Sequence, residues 1–274
     1  MISVIILTSN EEINIGGCLE SLSWADDVVV LDSLSCDRTV AIAEEYGARV
    51  IKRRFDGYAS QRNFGLQLEF KYDWILMIDA DERICPDLHK EIVEEVNRKD
   101  NPICLYRVRR KDHFFGKWIK HSSGYPTWFG RVFRKGCVTV EREINEEYHT
   151  NGEVGFLHEH LTHYPFNRGV TYWLERHNSY SSMEASRLLQ ESGDPVSWKF
   201  FFGKDPALRR KAFKQVAYRM PFRPLLTFCF LYVFKGGLLD GSPGFHFSLM
   251  RSIYEYFINL KIREIKRAER KLPM

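Results

Sequence analysis

An apolar run that ends abruptly on three acids is the feature of this chain most suggestive of chemistry. The run lies in the segment WILMIDADERI, Trp74 to Ile84, and the acids are Asp79, Asp81 and Glu82. Carboxylates held this close repel each other unless something binds them. Mg²⁺ and Mn²⁺ prefer oxygen ligands and share their shell with substrate phosphates, so Asp79 and Asp81 are candidate metal ligands. The bare pattern also fits a solvated turn or a helix cap.

The surrounding elements determine whether such acids can meet other polar groups. Over the first hundred residues, β-rich runs such as SVIILT, DDVVVLDS, ARVIKR and DWILMIDAD alternate with helical patterns such as DRTVAIAEEYG and YASQRNFGLQLE. This alternation predicts an α/β fold, a mostly parallel sheet covered by helices. Ligands of such sheets bind beyond the carboxyl ends of the strands.

Several polar residues follow the predicted strands at that edge. Thr8, Asn10 and Glu11 end the first strand, and Asp32 ends the second. The fourth strand ends at the acids described above. The sequence therefore predicts a polar binding site at one edge of the sheet.

Four of these segments, taken in order and spacing, resemble one enzyme family. TSNEE, VVVLDSLSCDRT, QRN and ILMIDADE resemble the nucleotide-sugar half of the inverting glycosyltransferases of family 2, which have the GT-A (Rossmann-like) fold. The match spans residues 1 to 95. A narrower resemblance, to bacterial lipopolysaccharide-core β-glucosyltransferases of the WaaE/KdtX type, rests on DSLSCDRT, YASQRNFGL, DADERI, GRVFRKG and GGLLDGSPGF.

The resemblance implies a role for each matching residue. Nucleotide-sugar binding is implied for Thr8, Asn10, Glu11, Asp32, Arg62 and Asp79, with Arg62 near the uracil or the diphosphate. Arg131 is a further candidate for this site, since it or Arg62 could supply positive charge to the leaving diphosphate. Within that set, Asp32 would contact the base or ribose, and Asp79 would divide its contacts between ribose and metal. Asp81 would bind the Mg²⁺ or Mn²⁺ that bridges the diphosphate. Many relatives carry a second acid after the second strand, whereas this chain has Ser33, so the base contact of that acid is not carried over.

Sugar transfer also needs a base for the acceptor hydroxyl and positive charge for the leaving diphosphate. The acidic segment VEREINEEYH is the natural place for the base. By its position after the RVFR strand, Glu146 best matches the family's acid, and Glu143 and Glu147 are close alternatives. A solvated charged turn is the competing interpretation of all three.

Three histidines occur close together in FLHEHLTHYP, at His158, His160 and His163. Their spacing differs from the usual zinc patterns, and cleft or core histidines are the commoner interpretation. A zinc hydrolase is thus a minor alternative. His163 could instead meet the diphosphate or its metal.

Charge divides the chain into two parts. Residues 1 to 198 hold 24 Lys and Arg against 31 Asp and Glu, whereas residues 199 to 274 hold 16 against 5. The basic part is also aromatic, but its longest apolar run, Leu225 to Phe234, is too short to cross a bilayer, which takes ~20 residues as a helix. Basic charge beside apolar surface fits an interfacial anchor on an anionic membrane.

The basic part contains a helical stripe of apolar residues but no recognisable nucleic-acid-binding module. Nucleic acid is the other usual partner of a basic segment, and none is expected here. The stripe consists of Leu249, Ile253, Tyr256, Phe257 and Leu260. It could pack on the protein body or on a second copy as readily as on a membrane.

These observations lead to one domain prediction. Residues 1–165 form the GT-A catalytic domain, divided into a nucleotide-sugar half (1–95) and an acceptor half (96–165), and residues 166–274 form a helical, membrane-associating region. Six cysteines without regular spacing and an N-terminus without a basic leader suit the cytoplasm. We therefore expect a peripheral protein on the inner face of the cell membrane.

The expected function is a metal-dependent transfer of a hexose, glucose from UDP-glucose by the subfamily resemblance, to a lipid-linked saccharide such as the lipopolysaccharide inner core. Polyprenyl-phosphate glycosyl transfer could use the same sheet edge. A nucleotidyltransferase is disfavoured, since it would show a Gly-rich basic loop where this chain has TSNEEINIGG. A non-catalytic membrane adaptor with the same fold is the alternative from another class.

Overall fold

The structure is a computed structural model that describes residues 1–141, 147–191 and 222–273. The chain divides into two compact units. The first comprises Met1–Trp118 and Tyr125–Arg168, and the second comprises Ile119–Gly124 and Gly169–Met274. The predicted domain boundaries at 165 and 166 stay a prediction.

The described part of the first unit is built around a nine-stranded mixed sheet. Its strands, with two that pair separately, are β1 (Ser3–Thr8), β2 (Val28–Asp32), β3 (Arg49–Lys52), β4 (Trp74–Asp79), β5 (Glu82–Ile84), β6 (Ile103–Phe114), β7 (Lys117–Trp118), β8 (Trp128–Arg134), β9 (Val138–Glu141), β10 (Glu147–Thr150) and β11 (Glu153–His163). The order is β3-β2-β1-β4-β8-β6-β11-β5, β7 pairs with β6, and β9 pairs with β10.

The first four strands of that order are parallel, as the alternation of elements predicts. Ile5 of β1 lies between Val29 of β2 and Met77 of β4, and all three are fully buried. Because helices cover both faces of such a sheet, these strands are continuously apolar. β8 and β5 run antiparallel to their neighbours, so the sheet is mixed toward its second half.

Helices connect the strands of the first unit. They are α1 (Glu12–Glu20), α2 (Thr39–Glu45), α3 (Tyr58–Leu66) and α4 (Pro86–Val96). α4 shows why they pack: Leu88, Ile92 and Val96 recur every four residues on one face and are buried. Asp37 lies just before α2, where its carboxylate accepts the Thr39 N–H at 3.0 Å, and the residue adjoining the helix is Arg38.

The described part of the second unit is mainly helical. It contains α5 (Gly169–Glu191), α6 (Arg223–Cys229) continued by a π-helical turn (Phe230–Phe234), a 3₁₀ turn (Gly237–Asp240) and α7 (Ser242–Glu269). Ala185 and Leu188 of α5 pack with Ile258 of α7 in its core. The fold class, a mostly parallel helix-covered α/β sheet with a helical, basic C-terminal extension, is confirmed.

The motif GGLLDGSPGF forms a tight bend in this unit. Asp240 is buried, and its carboxylate accepts the backbone N–H groups of His121 and Ser122 at 3.0 and 2.7 Å. A Cβ at Gly244 would lie 2.1 Å from the carbonyl oxygen of Gly237, so the bend requires glycine there. The motif therefore anchors the segment Ile119–Gly124.

Within the described ranges, no helix combines the length and apolarity needed to cross a membrane. The predicted stripe on α7 is largely open to solvent. Leu249, Ile253, Tyr256 and Leu260 are exposed, and Phe257 is half-buried. The stripe thus offers an apolar surface along that helix.

Candidate functional site

The loops after β1 and β2 are tied together through one buried carboxylate. Asp32 accepts hydrogen bonds from the Thr8 hydroxyl at 3.0 Å and from the Ser35 backbone N–H at 2.8 Å. The Ser35 hydroxyl in turn accepts the backbone N–H of Asn10 at 2.8 Å. The two strand ends predicted to carry nucleotide-binding residues are therefore joined. The ligand contacts of Thr8 and Asp32 themselves stay predictions.

Asn10 and Glu11 lie at the edge of this loop pair. Asn10 adopts φ +54°, a left-handed conformation that Asn tolerates better than most residues, and its side-chain oxygen accepts the Cys36 N–H at 2.7 Å. Glu11 accepts hydrogen bonds from Asn14 at 2.8 Å and from Arg168 at 3.1 Å. Burial raises the pKa of Glu11, and the nearby charge of Asp81 adds to that effect while Asn14 and Arg168 oppose it. Arg168 was not anticipated from the sequence.

Asp79 lies between two buried arginines. Its two carboxylate oxygens accept hydrogen bonds from Arg62 at 3.0 Å and from Arg131 at 2.9 Å. Although burial by itself raises the pKa, these two guanidinium groups hold the pKa of Asp79 well below its ordinary value. Both oxygens of Asp79 are therefore already engaged by cations.

Glu82, unassigned by the sequence, completes this ion-pair group. It is fully buried, and its carboxylate lies 2.7 Å from Arg131, which is 2% exposed. Its other oxygen accepts the backbone N–H of Asp79 at 3.1 Å. Glu82 thus fixes both the arginine and the turn that carries the predicted metal ligands. In the sequence, the closeness of Glu82 to Asp79 and Asp81 is the only signal that could have indicated this role.

Asp81 meets a histidine more than eighty residues away in sequence. Its carboxylate lies 3.3 Å from Nε2 of His163. The other ring nitrogen, Nδ1, donates to Asp112 at 2.7 Å, and Asp112 also pairs with Arg110 at 2.9 Å. Burial and Arg110 lower the pKa of His163, but Asp81 and Asp112 outweigh them and raise it to about 9. Asp112 and Arg110 were not anticipated, because no local motif marks them.

This pair is the arrangement in the site that fits a divalent cation. Asp112 accepts the Nδ1 hydrogen and so leaves Nε2 facing Asp81, which is how outer carboxylates orient metal-ligating histidines. Within residues 1–141, 147–191 and 222–273, no group of three or more His, Cys, Asp or Glu side chains is arranged to hold a metal ion. Two protein ligands suit Mg²⁺ or Mn²⁺, which keep several waters and bind substrate phosphates.

The three candidate general bases lie in or next to residues 142–146, which the structure does not describe. Glu143 and Glu146 lie outside the described residues, and Glu147 is the first residue of β10, with its side chain not described. The assignment of the base therefore stays a prediction.

The three histidines of FLHEHLTHYP do not converge among the described residues. His160 pairs in the sheet with Arg109, and His163 pairs with Asp112, three residues further along β6. Successive side chains of a strand point to opposite faces, so these two histidines lie on opposite sides of the sheet. The backbone N–H of His158 donates to Glu91 at 2.6 Å. The geometry gives a zinc hydrolase no support.

Comparison with known proteins identifies the chain's relatives. The model of Glycosyl transferase family 2 matches residues 3–157. An uncharacterized glycosyltransferase of Rickettsia felis is 31% identical over 203 residues, covering 69% of this chain and 71% of the relative. The lipopolysaccharide core biosynthesis glycosyltransferase LpsC of Rhizobium meliloti is 26% identical over 270 residues, covering 95% and 91%.

Among solved structures, a similar one is glucosyl-3-phosphoglycerate synthase from Mycobacterium tuberculosis in complex with Mn²⁺, UDP and glucosyl-3-phosphoglycerate. It shows 25% identity and a TM-score of 0.35, and the match covers 41% of this chain. The matched region spans less than half of the synthase chain, at 44%.

Proposed function

The chain belongs to Glycosyl transferase family 2, and from this premise we propose that it is a metal-dependent, inverting hexosyltransferase. It transfers a hexose, glucose from UDP-glucose, to a lipid-linked saccharide of the lipopolysaccharide inner-core type. The observation that carries the proposal is the Asp81–His163 pair beside the arginine-bound Asp79 at the carboxyl edge of the parallel strands. The similarity to LpsC along nearly the whole chain supports the acceptor class.

Asp81 and His163 are the residues that would hold Mg²⁺ or Mn²⁺. When bound, the ion supplies positive charge to the diphosphate that departs from the sugar. Asp112 holds the His163 ring in the required orientation through Nδ1. Because the oxygens of Asp79 are shared between Arg62 and Arg131, we assign Asp79 to the ribose rather than to the ion.

The remaining pocket residues have complementary roles. Thr8, Asn10, Glu11 and Asp32 line the nucleotide subsite, and the hydrogen bonds joining their loops hold that subsite in shape. Arg131 is almost fully buried under Asp79 and Glu82, so it positions these acids. Arg62 does the same for Asp79 from the side of α3.

Inverting transfer requires an acceptor hydroxyl to attack the anomeric carbon from the face opposite the leaving diphosphate. As the hydroxyl attacks, a base accepts its proton. We assign this role to Glu146, with Glu143 and Glu147 as alternatives, on family resemblance.

Replacing Glu146 by Gln should lower the transfer rate by about 10²–10⁴-fold, the usual contribution of a general base. Because the base does not contact the nucleotide, binding of UDP with Mn²⁺ should be unchanged. Stopped-time transfer assays and calorimetry measure the two quantities. Glu153→Gln, on an exposed strand position, is the matched control. A wild-type rate for Glu146→Gln would move the assignment to Glu143 or Glu147.

The second unit carries features that suit the surface of an anionic membrane. Exposed apolar residues follow one another through α6 and its turns: Phe222, Leu225, Leu226, Phe230, Val233, Phe234, Leu238 and Leu239. The end of α7 is basic and exposed, with Arg263, Lys266 and Arg267. Apolar groups that enter the interface and cations that meet anionic headgroups are the two requirements of a peripheral anchor. We propose that this unit holds the enzyme at the inner face of the cell membrane.

Replacing Phe234 by Asp should weaken binding to phosphatidylglycerol-containing vesicles by about tenfold or more. Phe234 is 81% exposed, and burying a Phe side chain is worth about 1.5–3 kcal/mol, which the charged residue forfeits. Phe115→Asp, at a 65% exposed position of the first unit, is the matched control and should bind normally. Vesicle sedimentation measures both. Equal binding of the two variants would favour a packing role for the exposed segment.

Calorimetry with UDP and Mn²⁺ tests the proposed function as a whole. Saturable binding that requires the ion is expected, and no binding would favour the non-catalytic adaptor. A screen of nucleotide sugars by nucleotide release, with purified lipopolysaccharide-core acceptors, then identifies the donor. Release that requires a polyprenyl phosphate in place of the core saccharide would favour the alternative transferase.

A further inference from the structure

The face of the sheet opposite the Asp81–His163 pair carries a row of cations. Arg107, Arg109 and Lys111 alternate along β6, so their side chains share one face, while Arg110 and Asp112 point to the other. This row stands out because residues 1 to 198 carry seven more acidic than basic residues. We call these three residues and the aromatic rings around them the cationic strand face.

None of the three cations is neutralised by a residue that the structure describes. Over that part of the chain, their side chains make no hydrogen bond or ion pair. The guanidinium Nε atoms of Arg107 and Arg109 are buried and lack a hydrogen-bond partner there. A cation that is partly removed from water and left without an acceptor costs free energy. The terminal guanidinium nitrogens of both arginines, unlike Nε, are not among the buried unpaired atoms, so an anionic ligand would meet these side chains there.

Aromatic rings flank the cations. Arg109 lies 5.7 Å from the ring centre of Trp128 and 5.9 Å from that of Tyr125, and Lys111 lies 4.6 Å from that of Trp118. Trp128 pairs with Arg109 across the sheet and is in turn contacted edge-on by Phe156, which is 53% exposed. These rings hold the cation stems in place and leave half-exposed apolar surface between the charges.

A histidine and an acid adjoin the cations of this face. His160, which pairs with Arg109 in the sheet, has its pKa lowered by burial and then by the charge of Lys111. Glu159, the neighbouring acid, lies 3.5 Å from His160. It makes no ion pair with Arg109 or Lys111 within the described ranges.

From this geometry we propose that the cationic strand face binds an anionic saccharide, one carrying phosphate or carboxylate groups, as the charged portion of the acceptor. The guanidinium groups recognise the anionic substituents, and the aromatic surface packs against the sugar rings. Since Arg110 and Asp112 occupy the opposite face, this portion lies away from the reacting hydroxyl. The inference rests on the proposed function only in naming the acceptor; saccharide binding itself is independent of catalysis.

The test is calorimetry of the full chain with a soluble, deacylated, phosphorylated lipopolysaccharide inner-core oligosaccharide, without donor. Wild type should bind it, and a neutral maltooligosaccharide of similar length should not compete. Arg109→Gln/Lys111→Gln should lower the affinity by about tenfold. Arg98→Gln/Lys99→Gln removes the same charge at the end of α4 and should leave the affinity unchanged. Lys111→Gln alone, at a half-exposed position, should show a smaller loss.

Binding of UDP with Mn²⁺, measured on the same preparations, separates the two proposals. If Arg109→Gln/Lys111→Gln still binds UDP, that variant is folded. If its UDP binding is lost, the oligosaccharide affinity of Lys111→Gln decides the test instead. Saccharide binding by a wild-type protein that does not bind UDP would support this inference and contradict the proposed function. Equal affinity of the two double variants for the oligosaccharide would overturn the inference. It would also be overturned if the wild-type protein did not bind the oligosaccharide but bound phosphatidylglycerol vesicles through this face.

Discussion

Replacing Asp81 by Asn should nearly abolish sugar transfer, with a fall of about 10²–10³-fold or more. The expected size is that of losing one electrostatic contact to the charge that develops in the transition state. The amide keeps the shape of the side chain but loses the charge that faces His163 at 3.3 Å. Of the two proposed protein ligands of the divalent ion, only His163 would then remain.

The same substitution should weaken UDP binding in the presence of Mn²⁺ and leave the fold intact. Calorimetry with UDP and Mn²⁺, together with thermal unfolding, measures both effects. Asp87→Asn, in the first turn of α4, removes an equal charge away from the strand ends and serves as control. UDP affinity in Asp81→Asn as high as in Asp87→Asn would exclude Asp81 as a metal ligand.

Replacing Arg131 by Met should destabilise the fold by about 3–5 kcal/mol, the usual cost of breaking a buried ion pair. Arg131 is 2% exposed and bonds both Asp79 and Glu82, so its loss leaves the fully buried Glu82 carboxylate without its closest cation. Urea unfolding measures the change. Arg38→Met is the control, because its side chain is 72% exposed and pairs with Glu45 at 3.9 Å, a surface pair worth about 0–1 kcal/mol.

A second variant distinguishes a broken ion pair from lost packing. Glu82→Leu/Arg131→Met removes both charges, so its stability should exceed that of Arg131→Met by about 1 kcal/mol or more. Donor binding should remain impaired in the double variant, since the turn carrying Asp81 loses the Glu82 carboxylate that accepts the Asp79 N–H. If the double variant were the less stable of the two, packing of the arginine stem would be the dominant contribution.

Local sequence patterns predicted much of the part of the site that β1, β2, β4 and α3 form. The apolar runs ending at Thr8, Asp32 and Asp79 are strands in the structure, and their parallel register brings those ends to one edge. The helix beginning at Tyr58 was also predicted, and it carries Arg62 toward Asp79. These features could be predicted because the spacing of apolar and polar residues within each short segment determines whether it forms a strand or a helix and where it ends.

Of the part of the site that β5, β6 and β11 form, the sequence predicted only single residues and not their contacts. His163 stands out in sequence within a histidine cluster, but its partners Asp81 and Asp112 come from other segments that meet through the pairing of β11 with β5 and β6. Glu82 had no assigned role, since an acid in a turn and an acid paired in the interior look alike in sequence. The region of the proposed base, Glu146, lies outside the described residues, so its assignment depends on resemblance alone.

The sequence by itself determined the family, the α/β fold class and the strand ends at which a polar site forms, because each depends on local patterns of apolar and polar residues. Only the tertiary structure decided which charges meet: Asp79 with Arg62 and Arg131, and Asp81 with His163. It also decided which β6 residues face the site and which form the cationic strand face. The physical reason is register: a shift of one residue in strand pairing moves every side chain to the other face, and distant strands set that register together.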